Sequence, residues 1–285
     1  MSVAHRIKAW LFLIRPHQYT KNVLIFVPFL FGKAWQALIP VLETFLAWCL
    51  MASAIYALND ARDALEDRHH PHKRHRPIAA GILSPTTGYL TALILGSLAI
   101  LIAFFINIPT LLLLFLYAAN NLLYTFYLKR IQLIDVFSIA AGFVLRVYGG
   151  AAAGDIPVSP YLFMTVFFLS LYLAFGKRRH EILLAEMKGR SFRQVLRRYS
   201  VYYLDQLMVI CATMTLVVYV QYLLEGHYRW LLWSLPLVVL GIFRYYHLTH
   251  NLSAGEPSRD LFADTFLLLV GALYGVLVIL ELTGL

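Results

Sequence analysis

The chain has 285 residues, of which 60% are hydrophobic and only 14% are charged, and its formal net charge is +9 at neutral pH. This composition, with a mean hydropathy of +0.70, excludes an ordinary soluble domain and indicates a protein that crosses a membrane several times. The two cysteines, Cys49 and Cys211, each lie in an apolar run and are too few for a disulfide framework or a thiolate metal site.

Nine apolar segments are long enough to be predicted as membrane spans, since a transmembrane helix needs about 20 apolar residues. In chain order they lie near residues 22–39, 42–58, 86–106, 109–127, 132–151, 160–176, 205–224, 231–248 and 264–282. The first begins at polar Lys21 and Asn22 and contains Pro28. The pattern predicts an all-α fold, with one membrane-embedded domain over residues 1–285 arranged as a bundle of nine transmembrane helices.

The basic residues are distributed unevenly between the two sides of these spans. If the N-terminus is inside, all but three of the 24 lysines and arginines lie on the inner side; the exceptions are Lys33, Arg229 and Arg146, the last within a span. Because positive residues are retained on the cytoplasmic side, the sequence predicts an integral membrane protein with its N-terminus in the cytoplasm. A positive inner face favours anionic lipids and anionic substrates over nucleic acid as partners.

The first dense polar element lies where the second span ends. Asn59 is followed by Asp60, Asp63 and Asp67, and on a continuing helix these three acids share one face within an arc of about 60°. Like charges at such spacings destabilise a helix unless a cation binds between them. Oxygen ligands suit Mg²⁺, which usually also binds substrate phosphates. We therefore predict a Mg²⁺ site here; a solvated helix end with incidental acids is the alternative.

Four histidines follow the acidic row at His69, His70, His72 and His75. A zinc site is one interpretation, but no compact ligand pair on a regular helix accompanies them. The sequence instead favours histidines that line an anion-rich mouth or lie at the level of the lipid headgroups.

Further along the chain, one cation lies within a predicted span. Placing Arg146 in hydrocarbon costs roughly 2.5–3.5 kcal/mol on insertion scales, so it should face a polar cavity and have a partner. Two interpretations stay open: Arg146 binds a substrate phosphate or an acid near one, or it forms an internal ion pair that only orders helices.

The row Asn59-Asp60-x-x-Asp63-x-x-x-Asp67 resembles the NDxxDxxxD signature of the UbiA superfamily of intramembrane prenyltransferases. In that superfamily, which has nine spans and acidic rows facing the cytoplasm, the row holds Mg²⁺ against a substrate diphosphate. The resemblance implies a UbiA-like bundle in which the three aspartates are catalytic and all four residues bind the metal.

A closer resemblance, covering most of the chain, is to the decaprenyl-phosphate phosphoribosyltransferase branch. The segment RPHQYTKN at 15–22 looks like the RPxQxxKN opening of that branch, and KRHRPIAAG at 73–81 is similar to its KRxRPIAAG. Further similarities lie at 124–130, at 145–150, at 174–179 and at 255–257. The resemblance implies 5-phosphoribosyl diphosphate (PRPP) as donor, a polyprenyl phosphate as acceptor, and diphosphate as the leaving group.

Such substrates require several fixed cations besides a metal, because each phosphomonoester carries about −1.5 to −2 at neutral pH. The residues predicted to bind substrate are Lys21, Asn22, Lys73, Arg74, Arg76, Tyr124, Lys129, Arg146, Lys177 and Arg178. For Tyr124 an interfacial aromatic role is equally compatible with the sequence. The other loop cations are expected to contact lipid headgroups or to serve only the positive-inside orientation; they are Lys188, Arg190, Arg193, Arg197 and Arg198.

One feature departs from the superfamily pattern. Ordinary aromatic prenyltransferases carry a second DxxxD on a later inner loop, whereas Asp135 is followed four residues later by Ile139. Whether Asp135, Glu256, Asp260 or Asp264 contributes to the site is open at this point. The gap counts against the alternative function, transfer of a prenyl group from a prenyl diphosphate to a small acceptor. A carrier or flippase for anionic lipids is a third hypothesis, and a homo-oligomer is left open.

Overall fold

The computed structural model describes residues 3–69, 73–187, 195–226, 228–250 and 263–284. Within these ranges the chain is all-helical and contains no strand, which confirms the predicted fold class. The α-helices there are α1 (Val3–Ile14), α2 (Phe26–Phe31), α3 (Leu38–Arg62), α4 (Ala64–Arg68), α5 (Pro85–Ile106), α6 (Ile108–Phe126), α7 (Ile134–Ala153), α8 (Pro160–Met187), α9 (Val201–Glu225), α10 (Leu235–His250) and α11 (Thr265–Thr283). Short 3-10 helices lie at Pro16–Ile25, Trp35–Ala37, Lys73–His75, Leu128–Arg130, Leu196–Arg198 and Leu231–Ser234.

Eight helical segments in the described ranges are long and apolar enough to cross a membrane. They are Trp35–Arg62, Pro85–Ile106, Ile108–Phe126, Ile134–Ala153, Pro160–Met187, Val201–Glu225, Leu231–His250 and Thr265–Thr283. Each overlaps a predicted span, so the protein is an integral membrane protein whose spans follow the apolar runs of the sequence.

The first predicted span, at 22–39, is not a continuous helix. A 3-10 helix covers Pro16–Ile25, α2 has only 6 residues, and the chain then turns before Trp35. Arg15 and Lys33 lie before and after α2 with positive φ angles of 52° and 49°, a left-handed conformation that does not continue a right-handed helix. The segment is apolar enough for a span, but its backbone is interrupted, and the predicted count of nine spans is not confirmed.

The chain divides into two compact units by its internal contacts. The first unit comprises Met1–Thr125 and Leu145–Pro157, and the second comprises Phe126–Val144 and Val158–Leu285. Helix α7 therefore begins in the second unit and ends in the first. The single domain over residues 1–285 stays a prediction.

The first unit is built around α3, which packs along α5. The ring of Trp48 in α3 also lies close to Gly149 of α7. Gly88 of α5 allows a close approach, since a Cβ there would lie 2.8 Å from the Cβ of Ala61. Gly150 of α7 is under a stricter constraint, because a Cβ there would lie 1.9 Å from the carbonyl oxygen of Ile25. Small residues at such positions let helix backbones approach closely, and here they bring the end of the 3-10 helix against α7.

Replacing Gly150 by Ala is expected to lower the thermal midpoint of unfolding in detergent strongly. The added methyl would overlap a backbone carbonyl that no side-chain rotation can move, and overpacking of this kind costs about 1–3 kcal/mol or more. Gly275→Ala in α11 is the matched control, because a Cβ there meets nothing within 4 Å. Equal midpoints for the two variants would contradict the close contact at Gly150.

The second unit packs α8 against α9 and α10. Tyr172 of α8 is fully buried, and its hydroxyl donates to the carbonyl oxygen of Ile242, 2.7 Å away. At the start of α11 the Asp264 carboxylate accepts the backbone N–H of Leu267 at 2.9 Å and pairs with Arg244 at 2.8 Å. The hydrogen bond from Arg244 lowers the pKa of Asp264 below its usual value. Asp264 thus serves as a helix cap held by a cation.

Candidate functional site

The acidic row lies where α3 gives way to α4 in the first unit. Asp63 separates the two helices, yet its N–H still bonds the carbonyl of Asn59 at 2.9 Å, and the N–H of Asp67 bonds that of Asp63 at 2.8 Å. The helical path therefore continues through the break. Asp60 and Asp67 are 1% and 2% exposed, whereas the side chain of Asp63 is 19% exposed. Two of the three predicted catalytic acids, Asp60 and Asp67, are therefore buried within the protein, whereas Asp63 is partly exposed.

Cations from two other segments neutralise these two buried acids. The Nη1 atom of Arg76 lies 3.0 Å from Asp60 Oδ1 and 2.7 Å from Asp67 Oδ2, so one guanidinium bridges both carboxylates. Arg15 Nη2 lies 2.6 Å from Asp60 Oδ1, and Lys73 Nζ lies 3.4 Å from Asp67 Oδ1. Because a buried charge needs a partner, these contacts explain how the row is tolerated. The structure brings together Asp60, Asp67, Lys73 and Arg76 of the predicted site.

Arg15 contacts the acidic row, although the sequence analysis did not single it out. It entered only as the first letter of the RPHQYTKN segment, but it contacts Asp60 directly and lies over the ring of Tyr56, 4.7 Å from its centroid. Its backbone has φ 52° and ψ 60°, which is unfavourable for a residue with a Cβ. Such strain often occurs at functional positions, and here it accompanies a contact with the most buried acid of the row.

Asp63 does not join the other two acids. Its Oδ1 accepts a hydrogen bond from Nε of the adjacent Arg62 at 2.7 Å. Among the described residues, no group of three or more Asp, Glu, His or Cys side chains is placed to hold a metal ion. The predicted gathering of three carboxylates is therefore not seen there, because guanidinium groups occupy the space between the acids. His70 and His72 lie outside the described residues.

Two buried oxygens at the row nevertheless fit a cation that prefers oxygen ligands. Asp60 Oδ2 and Asn59 Oδ1 are both buried and accept no hydrogen bond from any described group. The amide nitrogen of Asn59 donates to Thr125 Oγ1 at 3.3 Å, which orients its side chain. Leaving a buried polar atom unpaired costs about 1–3 kcal/mol. Carboxylate and amide oxygens are suitable ligands for Mg²⁺, so the donor atoms present fit that ion.

A second polar centre of the first unit surrounds Arg146 of α7. Arg146 Nε donates to Asn22 Oδ1 at 2.7 Å, Nη2 donates to the Tyr117 hydroxyl at 2.9 Å, and the guanidinium lies 4.7 Å from the centre of the Tyr117 ring. Asn22 also donates from Nδ2 to Cys49 Sγ at 3.2 Å. Arg146 and Asn22 are both buried. The prediction that Arg146 lies among polar partners is confirmed, and the structure brings the predicted residues Asn22 and Arg146 into contact.

Three predicted cations lie in the second unit, and one of them is fully engaged. Arg178 Nε lies 2.7 Å from Asp135 Oδ2, and its Nη1 lies 2.7 Å from Glu181 Oε2. The Tyr199 hydroxyl donates to Asp135 Oδ1 at 2.8 Å and accepts the N–H of Leu133 at 2.7 Å. We call Leu133, Asp135, Arg178 and Tyr199 the Asp135 latch. Both oxygens of Asp135 are bonded within the latch.

The remaining predicted residues are distributed over several elements. They are Lys21 in the first 3-10 helix, Arg74 in the 73–75 turn, Tyr124 near the end of α6, Lys129 in the 128–130 turn and Lys177 in α8. Glu256 and Asp260 lie outside the described residues, as do Lys188, Arg190 and Arg193. The sequence analysis also missed Tyr199 and Glu181, whose importance depends on contacts between distant segments.

Tyr199→Phe is expected to destabilise the second unit by about 1–3 kcal/mol, because it leaves the Leu133 N–H and one Asp135 oxygen unpaired in a buried place. Burial raises the pKa of Tyr199, so the hydroxyl remains a donor throughout the neutral range. The measurement is the thermal midpoint of unfolding in detergent. Tyr202→Phe is the control, because Tyr202 lies three residues further along the chain and is 72% exposed. A Tyr199→Phe midpoint as high as that of the control would exclude the latch as a stabilising contact.

Comparison with known proteins finds related sequences and a similar fold. The family model for the UbiA prenyltransferase family matches residues 23–271. The chain is 32% identical over 267 residues to the decaprenyl-phosphate phosphoribosyltransferase of Mycobacterium tuberculosis, covering 90% of this chain and 88% of that protein. It is 35% identical over 213 residues to the protein of the same name from Mycolicibacterium smegmatis, covering 72% and 67%. A solved UbiA homolog from Archaeoglobus fulgidus, bound to GPP and Mg²⁺, has the same fold with a TM-score of 0.71 and 17% identity, over 96% of this chain and 98% of that one.

Proposed function

Because the chain belongs to the UbiA prenyltransferase family, we propose that it transfers the 5-phosphoribosyl group of PRPP to a polyprenyl phosphate in the membrane and releases diphosphate. The names of the two mycobacterial relatives support this donor and acceptor class. The observation that carries the proposal is the buried acid pair Asp60 and Asp67, surrounded by Arg15, Arg76 and Lys73. A site that combines acids, unpaired oxygens and several cations suits a metal-bound polyphosphate.

The acidic row supplies the metal ligands in this proposal. Asn59 Oδ1 and Asp60 Oδ2 would hold Mg²⁺ together with Asp63 and Asp67, and the ion would stabilise the charge that develops on the leaving diphosphate. Asp67 would bind through Oδ1, from which the partly exposed Lys73, 3.4 Å away, would have to move. Asp60 and Asp67 keep their position because Arg76 bridges them. We expect Asp63 to turn away from Arg62, since both side chains are partly exposed.

The cations around the row serve to bind phosphate. Arg15, Lys73 and Arg76 are between 20% and 36% exposed, so each has part of its charged group accessible to a ligand. Charge-assisted hydrogen bonds from Arg to phosphate are frequently bidentate and are stronger than neutral ones. Lys21, Arg74, Tyr124 and Arg146 of the first unit are proposed to contribute further contacts to PRPP or to the lipid phosphate. Lys129, Lys177 and Arg178 of the second unit stay sequence predictions, and Arg178 is paired with Asp135 and Glu181.

The reaction is a displacement at the anomeric carbon of the ribose. An oxygen of the polyprenyl phosphate forms the new bond to that carbon as the bond to the diphosphate oxygen breaks, and the electron pair leaves with the diphosphate. The attacking phosphate oxygen is already ionised at neutral pH, so no general base is needed. Fixed cations convert an encounter between repelling anions into a positioned reaction. We propose that the protein lies in the inner membrane of a bacterial cell. We also propose that the acidic row faces the cytoplasm, because the basic residues are concentrated on one side of the predicted spans.

One observation keeps prenyl transfer as the second candidate. The solved neighbour with this fold binds GPP, and a metal held by an acidic row would serve either kind of diphosphate. The engagement of both Asp135 oxygens with Arg178 and Tyr199 disfavours it, because an ordinary second acidic pair would need that carboxylate for a metal.

The test is incubation of membranes containing the protein with labelled PRPP, Mg²⁺ and a polyprenyl phosphate. We expect a lipid-extractable phosphopentose that forms only when both substrates and the metal are present. A parallel reaction with labelled GPP and a small aromatic acceptor tests the second candidate. Folded protein that transfers the prenyl group, and leaves PRPP intact, would overturn the proposal.

A further inference from the structure

Two short basic turns lie side by side in the second unit. The 3-10 helices Leu128–Arg130 and Leu196–Arg198 each end in two consecutive cations. Gln132 Nε2 donates to the backbone oxygen of Arg198 at 2.9 Å, and the Tyr199 hydroxyl accepts the N–H of Leu133 at 2.7 Å. Asp135, Arg178 and Tyr199 of the Asp135 latch are buried. Residues that are far apart in the sequence are thus held together by specific hydrogen bonds.

Three arginines of these turns point their charge outward. Arg130, Arg197 and Arg198 are exposed, and none of them takes part in an ion pair with another described residue. We call these three residues the arginine platform. Like charges held close together repel one another, so a fold that fixes them in place favours an anion that binds between them.

The platform lies at the level of a membrane surface. Helix α6 ends at Phe126, α7 begins at Ile134 and α9 begins at Val201, so both turns follow or precede membrane spans by only a few residues. Tyr127 and Tyr202 flank the turns and are 66% and 72% exposed. Exposed tyrosines at span ends are typical of the headgroup layer. An anion bound here therefore lies where phospholipid phosphates lie.

We propose that the arginine platform binds the phosphate of an anionic phospholipid headgroup and so forms a lipid site on the second unit. Basic clusters next to membrane spans attract anionic lipids with about 1 kcal/mol for each Lys or Arg, which corresponds to about fivefold in affinity. Lys129 shares one turn with the platform but is half-buried, so it is not counted with the platform. The lipid site does not depend on which reaction the protein catalyses.

The experiment uses the full chain reconstituted in phosphatidylcholine vesicles with a trace of spin-labelled phosphatidylglycerol or spin-labelled phosphatidylcholine. Electron paramagnetic resonance measures the fraction of each label that the protein immobilises. The wild type should prefer phosphatidylglycerol, and the triple variant R130Q/R197Q/R198Q should lose most of that preference. The triple Arg→Lys variant keeps the charge and should retain most of it.

The matched control is Arg229→Gln against Arg197→Gln. Arg229 is also exposed, but it follows the C-terminal end of α9, whereas the platform lies near the N-terminal end at Val201. A helix of 25 residues is about 37 Å long, so the two ends are far apart. Arg197→Gln should weaken the preference about fivefold and Arg229→Gln should leave it unchanged. If the triple glutamine variant does not fold, this single pair carries the test.

A separate arm distinguishes a lipid from a soluble phosphate. Inorganic phosphate is added at millimolar concentration against sodium chloride of equal ionic strength, which removes the effect of screening. A lipid site should keep its preference in both solutions. Selective loss in phosphate, an unchanged preference in the triple glutamine variant, or an equal loss in Arg229→Gln would each overturn the proposal.

Discussion

Asp60→Asn is expected to reduce transfer of the phosphoribosyl group about 10³-fold, with the protein still folded. Asp60 is the most buried acid of the row, and its Oδ2 is one of the two oxygens without a hydrogen-bond donor. Asparagine keeps the shape of the side chain but removes the charge that would hold the metal and the leaving diphosphate. Loss of a group that stabilises developing charge typically costs 10²–10³-fold or more. Initial rates with saturating PRPP, across a range of Mg²⁺ concentrations, measure the effect.

Glu66→Gln is the matched control for this substitution. Glu66 lies in α4 between Asp63 and Asp67 and is exposed. Its replacement by glutamine removes one negative charge, as Asp60→Asn does, but leaves the contacts of Asp60 and Asp67 unchanged. We expect its rate to stay within about twofold of the wild type, since exposed charges are strongly screened. Equal losses in the two variants would mean that the general negative charge of the segment matters and that the site is misplaced.

Asp63→Ala separates two versions of the metal site. Asp63 contacts Arg62 and is partly exposed, so its removal should hardly change stability. A rate reduced as far as in Asp60→Asn is the expected result, because the proposed site includes all three acids. Full activity in Asp63→Ala would restrict the ligands to Asn59, Asp60 and Asp67.

The spans were predictable because hydropathy is a local property of the chain. Each of the eight helical segments coincides with an apolar run that needs no tertiary information. The interruption before α3 depends on something else, namely the left-handed backbone at Arg15 and Lys33. Nothing in the residue types demands that conformation, since arginine and lysine adopt it rarely. It is stabilised by contacts such as Arg15 with Asp60, which join residues 45 positions apart.

The same distinction applies to the candidate site. Spacing along one helix was enough to predict that Asp60 and Asp67 lie on a common face. The free-energy cost of placing a charged side chain in hydrocarbon was enough to predict a polar partner for Arg146. The identity of the partners was not predictable, because Asn22 is 124 positions away from Arg146 and Tyr199 is 64 positions away from Asp135.

Two aspartates of this chain show how the partners of an acid decide what it can do. Asp60 keeps one oxygen without a donor, whereas Asp135 has one oxygen bonded to Arg178 and the other to Tyr199. A metal ion could bind Asp60 Oδ2 while Arg15 and Arg76 keep their contacts with Asp60 Oδ1. At Asp135 it would have to break a buried ion pair, which typically costs 3–5 kcal/mol when one partner is lost. We infer that Asp135 has a structural role in the second unit, where it holds Arg178 and Tyr199 in place.

Asn22→Asp is expected to lower the rate of transfer about 10²-fold while leaving the protein as stable as the wild type or more stable. The new carboxylate would accept the same hydrogen bond from Arg146 Nε that Asn22 Oδ1 accepts at 2.7 Å. It would thereby neutralise the guanidinium and make it a poorer ligand for a substrate phosphate. Rates at varied PRPP and varied lipid phosphate show which KM rises.

The two interpretations of Arg146 make opposite predictions for this variant. If Arg146 only orders helices, an added acid completes a buried ion pair and activity should be unchanged. Arg146→Lys supplies the companion measurement, because lysine keeps the charge but cannot donate to Asn22 and Tyr117 from a fixed planar group. A protein that tolerates Asn22→Asp with full activity and loses stability in Arg146→Lys would assign Arg146 to the fold. Loss of activity in both, with stability retained in Asn22→Asp, would assign it to the substrate.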